Sequence, residues 1–239
     1  MRPSLLLLCR RGFATAAVQL PKPYEVKSVG IVGGGNIGAN WAIDFLRSGL
    51  DVIVIDSDVE KEAVVRNHIE AQRKLLSQDE EAVGSWGHLR FGSSIEDLTE
   101  DVQVVTECVP EVLELKQATI SRLDAHLEAT IPIFSSCSGT FRMPELVKDA
   151  TKAPGRIMVA HPFHPVHLCP LVSVVKSPET TPELVQWAVE FHRSIGKYAM
   201  ETKDNTGYVA NRLQEALWRE VIIYLLSIIV LSLNTMIRI

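Results

Sequence analysis

The sequence predicts an α/β fold built on a doubly wound, mostly parallel sheet, and three observations carry that prediction. Short apolar runs alternate with segments of helical periodicity from Val29 to Glu201, the pattern of successive βαβ units. One run leads straight into Gly33, Gly35 and Gly38, the G-x-G-x-x-G spacing in its required setting, strand first and helix after. The polar residues also collect after strands: Gly33 to Gly38, Asp56, Glu107 to Glu111, Ser135 to Thr140, and His161. Open α/β sheets bind ligands along that carboxyl edge.

The first strand is the run Val29, Ile31 and Val32. Behind the glycines, Trp41, Ala42, Phe45 and Leu46 recur at helical spacing until Gly49, a natural helix stop. Val52 to Asp56 follows at once, so strand, helix and strand form a parallel unit with a right-handed crossover. Asp58 to Leu76 reads as a charge-rich helix with Val59, Ala63, Ile69 and Leu76 inward, and Gly84 to Gly92 as a loop. Val102 to Val105 is a third strand, followed by a helix over Val112 to Leu127 that turns Val112, Ile120, Leu123 and Leu127 to one face. Ile131 to Ser135 and Arg156 to Ala160 are strands, the second ending in His161. Leu171 to Val175 and Tyr198 to Glu201 complete the set. Between them lies a helix with Thr181 as N-cap, Pro182 at its first position and Gly196 as its stop. Residues 22–205 thus form one Rossmann-type domain.

The glycine loop points to a dinucleotide. Gly33 permits the tight turn, Gly35 lets backbone approach a pyrophosphate, and Gly38 lets helix pack on strand. Free N–H groups and the positive end of the helix dipole then face the phosphates. Asp56, at the end of the second strand, accepts from the adenosine ribose hydroxyls. With Asp58 it would repel a 2′-phosphate, and no arginine stands by to bind one, so the cofactor is expected to be NAD and not NADP.

The chain has 239 residues, 46% of them hydrophobic and 22% charged, enough apolar material for a sizeable core. Its net charge of −5 and the lack of a basic stripe leave no nucleic-acid footprint. Cys9, Cys108, Cys137 and Cys169 are scattered and fit free thiols in a reducing compartment. Before Glu25 the chain carries Arg2, Arg10, Arg11 and Lys22 and no acid. This reads as a mitochondrial presequence over residues 1–21, placing the protein in the matrix; a cytoplasmic location follows if the segment is only a tail.

Arg156 to Val175 carries the chemistry. His161 comes off a strand into a proline-rich loop with His164 and His167 behind it. No carboxylate lies in the loop and Pro162 and Pro165 break any helix that would align the histidines, so no metal is expected. Beside a dinucleotide, His161 reads as a general base that takes the proton of a substrate hydroxyl.

Together, GGGNIG, Asp56, ECVPE with Lys116, SSCSG, AHPFHP with PLV, and KDNTGYVANRL resemble the 3-hydroxyacyl-CoA dehydrogenase family, nearest its lambda-crystallin, L-gulonate 3-dehydrogenase and carnitine dehydrogenase branch. The resemblance implies an NAD-binding Rossmann domain followed by an all-helical domain that completes the active site and usually forms a homodimer. It implies that Asn36, Ile37, Asp56, Glu111 and Lys116 contact NAD, that His161 is the base, and that Asn211 helps hold the substrate oxygen. The substrate-binding hydroxyl matches Ser138 by motif and Thr140 by spacing, with Ser138 preferred. The substrate would be a 3-hydroxy acid or a hydroxyacyl-CoA.

Two positions depart from the family pattern. The carboxylate expected twelve residues after the histidine is Ser173, and the asparagine expected three residues after it is His164. A serine can fix a tautomer but cannot stabilise an imidazolium as an anion does, and such a loss lowers rates by roughly 10²–10⁴-fold. The expected activity is therefore an attenuated NAD-dependent dehydrogenase; the competing reading is a catalytically silent NAD-binding protein. Residues 206–239 read as the truncated start of the helical domain. Val221 to Ile237 is seventeen residues without a charge, at the lower edge of a membrane span. Truncation or mis-splicing near Arg219 is favoured over a membrane contact.

Overall fold

The computed structural model describes residues 20–76 and 86–236. Eight strands form one sheet in the order β3-β2-β1-β4-β5-β6-β7-β8. They are β1 (Ser28–Val32), β2 (Asp51–Ile55), β3 (Leu89–Gly92), β4 (Val104–Glu107), β5 (Ile133–Ser135), β6 (Ile157–Pro162), β7 (Leu171–Lys176) and β8 (Tyr198–Glu201). Every neighbouring pair is parallel except β6 and β7. The expected doubly wound sheet is therefore present, with its last two strands reversed. Chain order reverses between β1 and β4, the crevice where such sheets take their ligands.

Helices cover both faces. On one lie α1 (Asn36–Arg47), α2 (Lys61–Leu76) and α5 (Pro182–Ser194), which bury Trp41 and Phe45, Val65 and Ile69, and Trp187 and Phe191 against the sheet. On the other lie α3 (Leu113–His126) and the short α4 (Met143–Leu146), contributing Ile120, Leu123, Met143 and Leu146. Parallel strands buried on both faces need unbroken apolar runs, and Val29 to Val32, Val52 to Ile55 and Ile157 to Ala160 supply them. Thr181 caps α5 as expected, its hydroxyl accepting from the Leu184 N–H.

Several expectations change. Part of the segment read as a loop, Leu89–Gly92, is the edge strand β3, paired in register with Val52 to Ile55; Gly84 itself lies outside the described residues. On α2, Val65 and Ile69 face inward while Val59, before the helix begins, is 74% exposed and Ala63 lies on the solvent side. Val112 precedes α3 and is 48% exposed. Most of the proposed presequence lies outside the described residues, but its last two positions belong to the fold: Leu20 is buried, and the Pro21 carbonyl accepts from Trp187 Nε1 at 2.7 Å. The final helix is α6 (Val209–Met236). Val209, Leu213, Ala216 and Leu217 of this helix are all exposed. Among the described residues no helix is long and apolar enough to cross a membrane.

Candidate functional site

The cofactor cradle is built at the carboxyl end of β1. Gly33 has φ of 107°, and a Cβ there would sit 2.6 Å from the Cys108 carbonyl oxygen. A Cβ on Gly38 would sit 1.9 Å from the Gly33 carbonyl oxygen, so α1 can approach β1 only with glycine at that place. Gly35 is different: nothing lies within 4 Å of where its Cβ would be. It caps α1 without a side-chain hydrogen bond, so the first N–H groups of the helix meet open space, which is the shape and polarity a pyrophosphate requires. Asp56 stands beside them, with Oδ2 accepting from Gly34 N–H at 2.7 Å and Oδ1 from Asp58 N–H at 2.9 Å. Asn36 opens α1 and is braced by Asn40, whose Nδ2 donates to its side-chain oxygen at 2.9 Å. Ile37, half-buried, packs on the core beneath.

A second group of charges lies at the ends of β4 and β5. Glu107 is fully buried and satisfied by Lys116 Nζ at 3.0 Å, Ser135 Oγ at 2.6 Å and Val109 N–H at 2.7 Å. Lys116 is also sealed from solvent and reaches Glu111 at 3.4 Å. Its ammonium is enclosed by these partners and the Val109 carbonyl, so it acts on the opening through Glu111. Glu111 Oε1 in turn accepts from Ser138 N–H at 3.0 Å, Ser138 Oγ at 2.9 Å and Cys137 Sγ at 3.2 Å. The balance of Lys116 and these donors against burial holds its carboxyl below the usual range. Thr140 Oγ1 lies 3.1 Å from Ser138 Oγ. Both candidate hydroxyls therefore stand on the same turn, with Ser138 the one fixed by the carboxylate.

His161 lies within β6, one residue before its end, directly opposite Ser173 of antiparallel β7. It is 8% exposed, packs edge-on to Phe163 at 5.0 Å and lies 5.5 Å from the Tyr208 ring. Its Nδ1 is buried with no hydrogen-bond partner. Burial pulls its pKa down to about 4, with Glu111 pulling weakly the other way. The residue is thus neutral at pH 7, as a base must be before it accepts a proton. Asn211, in the first turn of α6, donates from Nδ2 to the Ser138 carbonyl at 3.4 Å. The loop carrying Asp204 to Gly207 joins it there, Gly207 N–H donating to the Gly139 carbonyl at 2.8 Å and Arg142 pairing with Asp204 at 3.0 Å.

The other two histidines separate. His164 Nε2 lies 3.3 Å from Asn36 Nδ2, touching the cofactor loop. His167 is turned inward, edge-on to His68 of α2 at 6.4 Å. The loop that bears them is held by Lys197, a residue no sequence pattern singled out. Its buried ammonium donates to the Val166 and Cys169 carbonyls and pairs with Asp44 of α1, beneath the Trp41 ring. Asp44 is buried too and meets that charge without an aligned hydrogen bond; burial pushes its carboxyl up to about 6. Glu107 and Tyr208 were likewise missed as site residues, since each sits in a motif quoted for its neighbours.

Residues 28–205 match the family described as 3-hydroxyacyl-CoA dehydrogenase, NAD binding domain. The chain belongs to that family. An L-carnitine dehydrogenase of Streptomyces griseus is 41% identical to it over 202 residues, covering 84% of this chain and 60% of the relative. A 3-hydroxyacyl-CoA dehydrogenase of Gibberella moniliformis is 35% identical over 201 residues, covering 82% and 61%. Among solved structures, a 5-formyl-3-hydroxy-2-methylpyridine 4-carboxylic acid 5-dehydrogenase, described as an NAD⁺-dependent dismutase, superposes with a TM-score of 0.75 at 26% identity, covering 82% of this chain and 64% of that one. The chain thus spans about three fifths of the length of the curated relatives it matches. Within the 3-hydroxyacyl-CoA dehydrogenase family it sides with the carnitine dehydrogenase branch, and its cofactor is NAD.

Proposed function

We propose that this chain is the NAD-binding part of a dehydrogenase that oxidises the 3-hydroxyl of a short hydroxy acid or its CoA thioester. One observation carries the reading: Asn211 reaches the Ser138 carbonyl, and Tyr208, which packs against Gly139 of the same turn, lies 5.5 Å from the His161 ring. Gly35 and the start of α1 hold the pyrophosphate, Asp56 the adenosine ribose, and Glu111 orders the turn carrying Ser138. NAD, when bound, supplies the hydride acceptor. Ser138 and Asn211 orient the substrate oxygen, and His161 Nε2 accepts its proton. With relatives named as L-carnitine dehydrogenases, a β-hydroxy acid with a cationic tail is the first substrate to try, ahead of hydroxyacyl-CoA thioesters and gulonate. NAD titration followed by those three substrates tests the reading; NAD binding with no NADH formed from any of them would overturn it.

The register of β7 favours a second reading. Ser173 stands where an anion would stabilise the imidazolium, so turnover is attenuated, and in the limit the chain binds NAD without using it. The acid-free, arginine-bearing start of the sequence supports import into the mitochondrial matrix. A fluorescent fusion carrying residues 1–21 that stays in the cytosol would remove that part.

A further inference from the structure

Three buried polar atoms around the substrate turn have no hydrogen-bond partner: His161 Nδ1, Tyr208 Oη and Asn211 Oδ1. Each such atom forfeits its hydration without recompense if left unpaired, so three together at one place call for an account. They are neighbours by construction. The Tyr208 ring lies 5.5 Å from the His161 ring and against Gly139, where an added Cβ would be 3.2 Å from the phenol carbon Cζ. Asn211 follows Tyr208, the residue just before α6, by three positions, and its Nδ2 already donates to the Ser138 carbonyl.

We propose that these atoms form a relay in which His161 Nδ1–H donates to Tyr208 Oη, Tyr208 O–H donates to Asn211 Oδ1, and Asn211 Nδ2–H donates to the Ser138 carbonyl. Each of the three orphaned atoms then has a partner of the opposite kind. The relay fixes the Nδ1–H tautomer of His161, leaving Nε2 bare to accept a proton. It supplies the orientation that a carboxylate at position 173 would have given, although not its charge. Such contacts are commonly long in a free enzyme and tighten when substrate binds.

Neither of the other polar neighbours bonds His161 Nδ1. Ser173 faces His161 across the ladder, but His161 Nδ1 remains unpartnered. Glu111 spends Oε1 on Ser138 and Cys137 and its other oxygen on Lys116. Packing alone does not explain Tyr208, since a phenylalanine would fill the same space without burying a hydroxyl. Burial also raises the phenol well above its ordinary pKa, so it keeps the proton it must donate. Tyr208 is a positioning residue in this scheme.

The inference rests on His161 being the base, and its test needs no turnover. Long-range ¹H–¹⁵N spectra of the whole chain with labelled histidine, free and with NAD, report the tautomer of His161. The expected result is a dominant Nδ1–H form in the wild type and at least a fivefold loss of that preference in Tyr208→Phe. Asn211→Asp, which keeps the acceptor, should retain the preference, and adding Ser173→Glu to Tyr208→Phe should restore it. A wild-type His161 in the Nε2–H form, or a Tyr208→Phe variant with unchanged tautomer populations, would overturn the relay. If Tyr208→Phe does not fold, the wild-type tautomer decides alone. Failure of the dehydrogenase reading shows separately, as no NADH from any substrate while these spectra stand.

Discussion

The two halves of the carboxyl edge are built differently. In the nucleotide half, around β1, β2 and β4, the polar side chains that face the cofactor edge are satisfied from within: Asp56 by Gly34 and Asp58, Asn36 by Asn40, Glu107 by Lys116, Ser135 and Val109. Of its four loop glycines, Gly33, Gly34, Gly35 and Gly38, Gly35 alone faces open space. In the substrate half, around β6 and the start of α6, His161, Tyr208 and Asn211 each bury an atom with no partner. The first half is a finished mould in which Gly33 and Gly38 admit no side chain larger than hydrogen. The second is held by apolar packing, and its polar groups are ordered only against one another or a ligand.

The largest effect should come from breaking the mould. Gly38→Ala drives a methyl into the Gly33 carbonyl, so NAD affinity should fall more than 100-fold in calorimetric titration. The fold should lose about 3 kcal/mol, read as a melting temperature about 6–12 °C lower. Ser173→Glu acts on the other half, placing an anion opposite His161. In a preparation that turns over, kcat should rise about 100-fold with little change in the NAD constant; an unchanged kcat would show that attenuation lies elsewhere. Asp56→Asn should narrow the preference for NAD over NADP about tenfold, because a neutral acceptor keeps the Gly34 bond but no longer repels a 2′-phosphate.

Acid should distinguish the halves more gently. His161 and His192 are both held near pH 4 by burial, whereas the unfolded chain takes those protons near pH 6.5. Between these values the unfolded state binds more protons, so stability falls as pH falls. Asp44, raised to about 6, works the opposite way over much of the window and cancels roughly one histidine. A net loss of about 3 kcal/mol from pH 7 to pH 4 should appear in urea melts, and His192→Phe should flatten the curve. The smallest intervention is on α6, where exposed Leu213, Leu217, Trp218, Ile222 and Leu225 predict self-association. Replacing Leu217 and Leu225 with lysine should shift light scattering toward monomer without moving NAD affinity.

Much of the nucleotide half was legible in the sequence because its determinants are local. Gly33 to Gly38 and Asp56 lie within one strand-helix-strand unit, and the spacing alone states their geometry. The edge strand β3 was not, since Leu89–Gly92 is half-exposed, carries Arg90 and becomes a strand only by pairing with β2. The substrate half was legible in parts: His161 and Ser138 from strand-end position, Asn211 from its motif. Its organisation was hidden, because Tyr208 reads as one more apolar residue at a helix start. Nothing near Lys197 in sequence announces a buried partner on α1. The antiparallel turn of β7 that brings Ser173 opposite His161 likewise depends on pairing across the sheet.

The grip of Lys197 on the loop after His161 has a kinetic consequence. Val166 and Cys169 give it their carbonyls and Asp44 its charge, all away from water. To lift the loop, the chain must expose that ammonium and carboxylate at once, so opening proceeds as a single cooperative event with no half-raised state. The His164 contact with the cofactor loop and the shelter around His161 therefore share one clock: amide exchange along residues 163–170 should report a common opening rate.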